Sequence, residues 1–479
     1  MSNAPSLVWF RQDLRLEDNP ALTAAVKRGG PVIPVHIHAP QEYDPWAPGA
    51  ASDFWLHQSL NALSASLERK RSRLIVRQGS SLETLRALLL ETGAEAVYWN
   101  RRYEPAVRIR DEAIKSALRA DGLFVESFNG ALLFEPWDVL TKQGCPYQVF
   151  TPFWRACLAA TEPPDPLPAP AKLAAPDSWP ASESIDALGL EPAFNWAGGI
   201  RTAWTPGEAG AAKRLEVFLE NAIAGYTGDR DRPAIQGTSR LSPHLHFGEL
   251  SPRQIRHAMK HALAPGATNG AEKFLAELGW REFSHHLLYH FPQVIDEPLR
   301  AAFSSFPWAK DLHALKAWQR GQTGYPIVDA GMRELWTTGW MHNRVRMVVA
   351  SFLTKDLLIP WQEGARWFWD TLVDADLANN TQGWQWTAGC GADAAPYFRI
   401  FNPVSQGEKF DPDGAYVRQW VPELGQLPAK WIHKPWEAPS AVMKDAEITL
   451  GKTYPRPIVD HADARARALE AYETIKNSR

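Results

Sequence analysis

Cysteine is scarce in these 479 residues: Cys145, Cys157 and Cys390 are the three, and no CxxC pair occurs. A disulfide framework and the four thiolates of an iron–sulfur cluster are therefore not expected. The chain also lacks any uninterrupted apolar run of about eighteen residues, and its opening, MSNAPSLVWFRQDLR, has no basic stretch leading into an apolar one. A soluble cytoplasmic protein with no membrane association is the expectation. Excess charge is missing too: 51 Lys and Arg against 54 Asp and Glu leave a net of −3. That balance supplies no global attraction to nucleic acid, so any such binding must rest on a local patch. The turn after SLVWF reads RQDLRLEDNP, without GxGxxG or GxxxxGK[ST]. A standard dinucleotide site is excluded there, although the carboxyl ends of the strands remain open to another ligand.

Tryptophan is what the chain has in excess, 22 against 11 tyrosines. The indole serves core packing, stacking and one-electron chemistry, and packing accounts for most of the 22. The length fits about two or three domains. Between residues 5 and 134, SLVWF, PVIPVHIHA, RLIVRQG and AEAVYWN read as strands, and SLETLRALLLETG has helical spacing with a glycine stop. LFVESFNGALLF adds a last strand or a hairpin. This alternation predicts an α/β domain with a doubly wound parallel sheet, residues 1–135. A proline-rich linker follows over 136–200, densest in EPPDPLPAPAKLAAPDSWP, and then a larger all-α domain over 201–479. In that domain Leu215, Phe218, Leu219, Ala222 and Ile223 share a helix face. DARARALEAYETIKNS predicts a terminal helix.

Four segments concentrate chemistry. Asp374–Phe401 packs Asp374, Asp376, Asn379, Asn380, Trp384, Trp386 and Arg399 into one stretch. Polar groups at that density must find partners if buried, and the set reads as a site where each residue alone would read as packing. GYTGDRDRPAIQGTSRLSPHLHFGELS offers Tyr226 and a cluster of hydroxyls at a Ser242–Pro243 helix start, a phosphate-binding pattern when more than a plain cap. In FLAELGWREFSHHLLYHFP, Glu277, Trp280 and Arg281 share a helix face as either an ordinary ion pair or a pocket wall. TTGWMHNRVRM sets Asn343, Arg344, Arg346 and Met347 on successive turns.

The strings QGTSRLSP, ELGWREF, TGYPIVDAGMRELWTTGWMHNRVRM and DADLANNTQGWQWTAGCGADAAPYFRIFNP, with VWFRQDLRLEDNPAL at the start, closely resemble the photolyase and cryptochrome family, specifically its cyclobutane pyrimidine dimer photolyases. The resemblance spans nearly the whole chain. It implies a light-driven repair enzyme in which reduced FAD passes an electron to a flipped-out thymine dimer in UV-damaged DNA and recovers it. By similarity, Tyr226, Thr238, Ser239, Arg240, Leu241 and Ser242 hold the FAD phosphates and nearby parts. Phe274, Arg281, Arg346, Asp374, Asp376 and Asn380 complete the cofactor set, with Asp374 paired to Arg346. Asn380 falls beside flavin N5, where plant cryptochromes typically carry aspartate and animal ones often cysteine; this favours repair over signalling.

Asn343 and Met347 stand where six-four photolyases place histidines, which favours the cyclobutane dimer. The resemblance gives Glu277 and Asn380 catalytic roles, with Glu277 bonding the bases of the dimer. Trp280 and Trp386 become walls against the lesion, Arg230, Arg344 and Arg399 phosphate contacts with Lys409 as a weaker one, and Trp384, Trp361 and Trp308 the electron relay. The usual folate-contacting glutamate is replaced by Val107. WAPGAASDFWLHQSL resembles the class III branch, and a methenyltetrahydrofolate antenna is expected, with deazaflavin as the alternative. A monomer is expected.

Overall fold

The computed structural model describes residues 3–261, 267–394 and 398–476. The chain forms two compact units. One takes the chain through Ala224 with Ser239–Pro292 and Val373–Ala375; the other takes Gly225–Thr238, Gln293–Leu372 and everything from Asp376 onward. Two stretches expected with the helical domain, 201–224 and 239–292, thus group with the sheet.

The first unit is built on five parallel strands in the order β3-β2-β1-β4-β5. β1 (Ser6–Phe10) is buried at every position. Its unbroken apolar run is what a central strand covered on both faces requires. β2 (Val32–His38), β3 (Ile75–Gln78) and β4 (Ala96–Asn100) fall where the sequence places them. The LFVESFNGALLF segment resolves into a strand, β5 (Phe124–Phe128). Beyond it Asn129 Oδ1 accepts from the Ala131 and Leu132 amides, a side-chain turn that ends pairing. Between strands, α1 (Pro20–Arg28) starts from an Asn19 cap whose side chain accepts from Leu22 N, with proline at the first helical position. α2 (Ala50–Arg69) and α4 (Pro105–Ala120) also cover the sheet, and α3 (Ser81–Thr92) stops at Gly93, φ 64°. Leu7, Trp9, Ile33, Val35, Ile75, Val97 and Trp99 centre the core.

Within the expected 136–200 linker stands a helix, α5 (Phe150–Ala159), burying Phe150, Phe153 and Cys157. The proline-rich stretch after it is irregular but tied down: Leu167 N donates to Asp18, Val32 N to the Ala174 carbonyl, and Val76 N to Ser182 Oγ. The Glu208–Asn221 helix buries Leu215, Phe218 and Leu219, and ends before Ala222 and Ile223.

The second unit is helical. Its terminal helix, His461–Lys476, agrees with the sequence pattern; Asn477 and Ser478 lie outside the described residues. Among the described residues no helix is long and apolar enough to cross a membrane.

Candidate functional site

In the second unit, Asp376 caps the Leu377–Ala388 helix, accepting from the Asn379 amide at 2.8 Å and from Asn379 Nδ2 at 2.7 Å. Asn380 and Trp384, four residues apart, lie on its buried face. The Asn380 Nδ2 donates to the Ala365 carbonyl at 3.0 Å. That bond fixes which end of the amide is which and leaves Oδ1 to accept from a ligand. Trp384 is 2% exposed, and its Nε1 has no hydrogen-bond partner among the described residues. A buried indole donor aimed at no protein acceptor is what a polar ligand would satisfy. Trp386, half-buried on the other side, donates to the Asp393 carbonyl at 3.2 Å. Residues 395–397 of this segment lie outside the described residues.

The Asn343–Ser351 helix places Asn343 and Met347 one turn apart, exposed and half-buried. Arg344 pairs with Asp231 at 2.9 Å and lies 4.4 Å from the Phe410 ring centre, which Lys409 also approaches at 5.1 Å. Two of the expected phosphate contacts are thereby gathered on one aromatic ring. Arg399 is exposed beside Phe401, and Arg230 stands 5.5 Å from the Tyr226 ring. Arg346 donates to the Met341 carbonyl and faces Trp340. Thr238 is half-buried in this unit.

Ser239, Arg240, Leu241, Ser242, Phe274, Glu277, Trp280, Arg281 and Asp374 belong to the first unit. Ser239 Oγ accepts from Leu241 N, Arg240 lies over Trp204 with φ 53°, and Leu241 is buried. Leu241 is the cap of a short Ser242–His246 helix, so Ser242 is its first residue and not its cap. Asp374 is 8% exposed. On the Thr268–His290 helix Phe274 is buried against Phe218. Trp280 stacks on Phe150 with ring centres 3.8 Å apart and planes 9° off parallel, which fixes one indole face. Glu277 and Arg281 do not converge: Glu277 approaches Lys273 at 4.0 Å, while Arg281 donates to the Ala131 carbonyl at 2.7 Å. Sequence spacing puts both on one face but cannot tell which neighbour each long side chain reaches.

Glu282, next in the chain, accepts from the Leu133 and Phe134 amides. Burial lifts its carboxyl to about 7, against the opposing pull of Arg281 and the two amides. Arg281 and Glu282 together clamp the segment that follows β5.

Trp361 is 1% exposed and Trp308 is half-buried, 4.4 Å from Phe306. Trp384 meets two rings absent from the expected relay, Phe368 at 5.0 Å and Trp318 at 6.1 Å. Sequence reading also missed Lys355. It is fully buried, donates to the Ala388 carbonyl at the end of the Trp384 helix, and stands 3.3 Å from the Phe398 ring; burial depresses its ammonium to about 7. His342 was missed as well: its Nδ1 caps the Asn343–Ser351 helix by accepting from Arg344 N. Cap preference points to Asn343 instead, which is the first helical residue and not the cap.

At the carboxyl ends of β1, β2 and β4, where the strand order reverses, the chain places its own side chains. Trp9 lies between Arg11 (4.4 Å) and Arg110 (5.1 Å), and Tyr43 between Arg110 (5.4 Å) and Arg102 (5.0 Å). Asp111 pairs with Arg11 and Arg110, and Glu104 with Arg102. Val107 is buried.

Two family descriptions match this chain: "DNA photolyase" over residues 6–171 and "FAD binding domain of DNA photolyase" over 274–474. A deoxyribodipyrimidine photo-lyase of Agrobacterium fabrum is 53% identical across 100% of this chain and 99% of its own length. The chain belongs to the DNA photolyase family. The crystal structure of a bacterial class III photolyase from Agrobacterium tumefaciens superposes with a TM-score of 0.96 at 53% identity, covering 100% of this chain and 98% of that one. Cryptochrome-1 of Arabidopsis thaliana is 43% identical over 98% of this chain and 70% of its own. The α/β sheet followed by a helical FAD-binding domain is thus the photolyase fold, and the residues described above are this photolyase-family chain's own version of it.

Proposed function

We propose that this protein is a cyclobutane pyrimidine dimer photolyase, a light-driven repair enzyme for UV-damaged DNA. The observation that carries the reading is the Asn380 amide, locked by the Ala365 carbonyl with its oxygen left to a ligand and Trp384 one turn away. Bound FAD, in its reduced form, would supply the light-driven one-electron chemistry, with no net oxidant consumed.

The chain's residues do the rest. Tyr226, Thr238, Ser239, Arg240, Leu241 and Ser242 are assigned to the cofactor phosphates and neighbouring parts. Phe274, Arg281, Arg346, Asp374 and Asp376 are assigned to the remainder. A neutral Asn380 meets flavin N5 without setting a fixed negative charge against the reduced ring. Glu277 is assigned to the bases of the dimer, Trp280 and Trp386 to apolar contact with it, and Asn343 and Met347 to the choice of lesion. Stacking of this kind is worth about 1–3 kcal/mol per base. Arg230, Arg344 and Arg399, with Lys409, take the backbone phosphates, which supply most of the affinity. Trp384, Trp361 and Trp308 carry electrons inward to restore reduced cofactor.

Methenyltetrahydrofolate is the proposed antenna. The guanidinium and aromatic side chains stacked at the strand-order reversal count against a deazaflavin seated there. A spectrum of the extracted cofactors distinguishes the two.

The likeness to Arabidopsis cryptochrome-1 favours a second reading, a blue-light photoreceptor without repair. Blue-light irradiation of thymine-dimer DNA with reduced protein decides between them: dimer loss is expected, and its absence in the presence of bound, reduced FAD leaves the photoreceptor.

A further inference from the structure

One buried donor is left over from these assignments. His342 is 3% exposed and built in on several sides. Its backbone amide donates to Glu334 Oε2 at 3.2 Å, and that carboxylate is itself held by the Tyr416 hydroxyl at 2.6 Å. The ring meets Trp340 edge-on at 6.2 Å. Nδ1 accepts from the Arg344 amide at 3.2 Å, so in the neutral ring the proton must sit on Nε2. Burial keeps the ring neutral, holding it down to about 4. Nε2 therefore carries a buried N–H, and it has no hydrogen-bond partner among the described residues. A buried donor left so is costly, on the scale of a lost hydrogen bond, and calls for an acceptor that binds from outside the chain.

The charge around it says which kind. Arg230, Arg344 and Arg346 act on this imidazole, against the single carboxylate of Asp231, which already pairs with Arg344. Two of these guanidiniums, Arg344 and Arg346, stand in the first turns of a nine-residue helix whose amino end favours an anion. We propose that His342 Nε2–H is a phosphate-binding donor, taking one phosphate oxygen of either the cofactor diphosphate or the DNA backbone. The inference deepens the photolyase reading by adding a residue to its anion contacts, and it rests on that reading only where the DNA is concerned.

The test uses the holoenzyme and a His342→Asn substitution. Asparagine is itself a favoured N-cap, so the helix start is preserved while the Nε2 donor is lost. If the acceptor is the cofactor, dark release of FAD on dilution, followed by its fluorescence, accelerates about tenfold, roughly the loss of one hydrogen bond to a charged group. If it is the DNA, FAD is retained, and affinity for DNA falls about tenfold with the salt slope unchanged, because a neutral donor releases no counterion. Either result supports the proposal and names the source. Unchanged release together with unchanged DNA affinity overturns it and leaves His342 a cap. Should the variant not fold, ¹⁵N-histidine labelling of the wild-type protein serves. The Nε2–H resonance is expected to move when FAD is removed or DNA is added, and a resonance indifferent to both overturns the proposal. A wild-type protein that repairs nothing would defeat the photolyase reading but leave the FAD arm of this test intact.

Discussion

Gly364 lies directly beneath the indole of Trp384: a β-carbon at that position would collide with Cη2, Cζ3 and Cζ2 of the ring. The ring cannot give way easily, since Phe368 at 5.0 Å and Trp318 at 6.1 Å hold its other sides. Gly364→Ala is therefore expected to push Trp384 out of place. Overpacking of this kind costs about 1–3 kcal/mol. The denaturation midpoint should fall, and photoreduction of oxidised FAD under blue light should slow. A variant with wild-type photoreduction would remove Trp384 from the relay.

Glu277 faces a different demand, because its roles in stability and in repair separate. Its ion pair with Lys273 is long, 4.0 Å, and partly exposed, so its loss costs little. Glu277→Ala should leave folding and FAD content unchanged while lowering the repair yield about tenfold, the effect of one hydrogen bond to a charge-bearing substrate. Lys273→Ala should lower neither. Equal yields for Glu277→Ala and wild type would take the carboxylate out of the mechanism.

Glu282 makes stability depend on pH with a definite sign. Its folded-state value, about 7, is raised above the ordinary 4.5. Between those values the folded protein holds a proton that the unfolded chain releases, so stability is greatest below the lower value and declines until the upper one is passed. Oε1 is buried, with no hydrogen-bond partner among the described residues and the Arg281 guanidinium 3.6 Å away, too weak an opposition to offset burial. Glu282→Gln keeps an acceptor for the Leu133 and Phe134 amides and removes the titration. It should stabilise the protein at pH 8 by up to roughly 3 kcal/mol and change little at pH 5. Urea titrations at the two pH values read this directly; an equal effect at both would show that Glu282 does not titrate in this window.

The patch around Phe410 predicts a salt effect. Arg344 and Lys409 approach this ring together. Replacing both by alanine should weaken DNA binding for damaged and undamaged sequences alike and reduce the salt slope by about two, one for each phosphate that is no longer neutralised. A loss confined to dimer-containing DNA would instead place these side chains at the lesion.

Much of this was open to the sequence because it follows from local rules. β1 is a continuous apolar run, α1 has its asparagine cap and proline, α3 has its terminal glycine, and each element forms where those signals stand. The separation of Trp384 from Trp386 follows from helical geometry alone. Tertiary structure decided what long and buried side chains touch. Arg281 turns to the Ala131 carbonyl and not to Glu277, because a flexible guanidinium goes to the acceptor that folding brings near, and that acceptor lies 150 residues away in the chain. The contact of Gly364 with Trp384, the burial of Lys355 against Phe398, and the buried, unsatisfied Nε2 of His342 have the same origin. Periodicity specifies which face of an element is covered; the partner that covers it exists only once distant segments have packed.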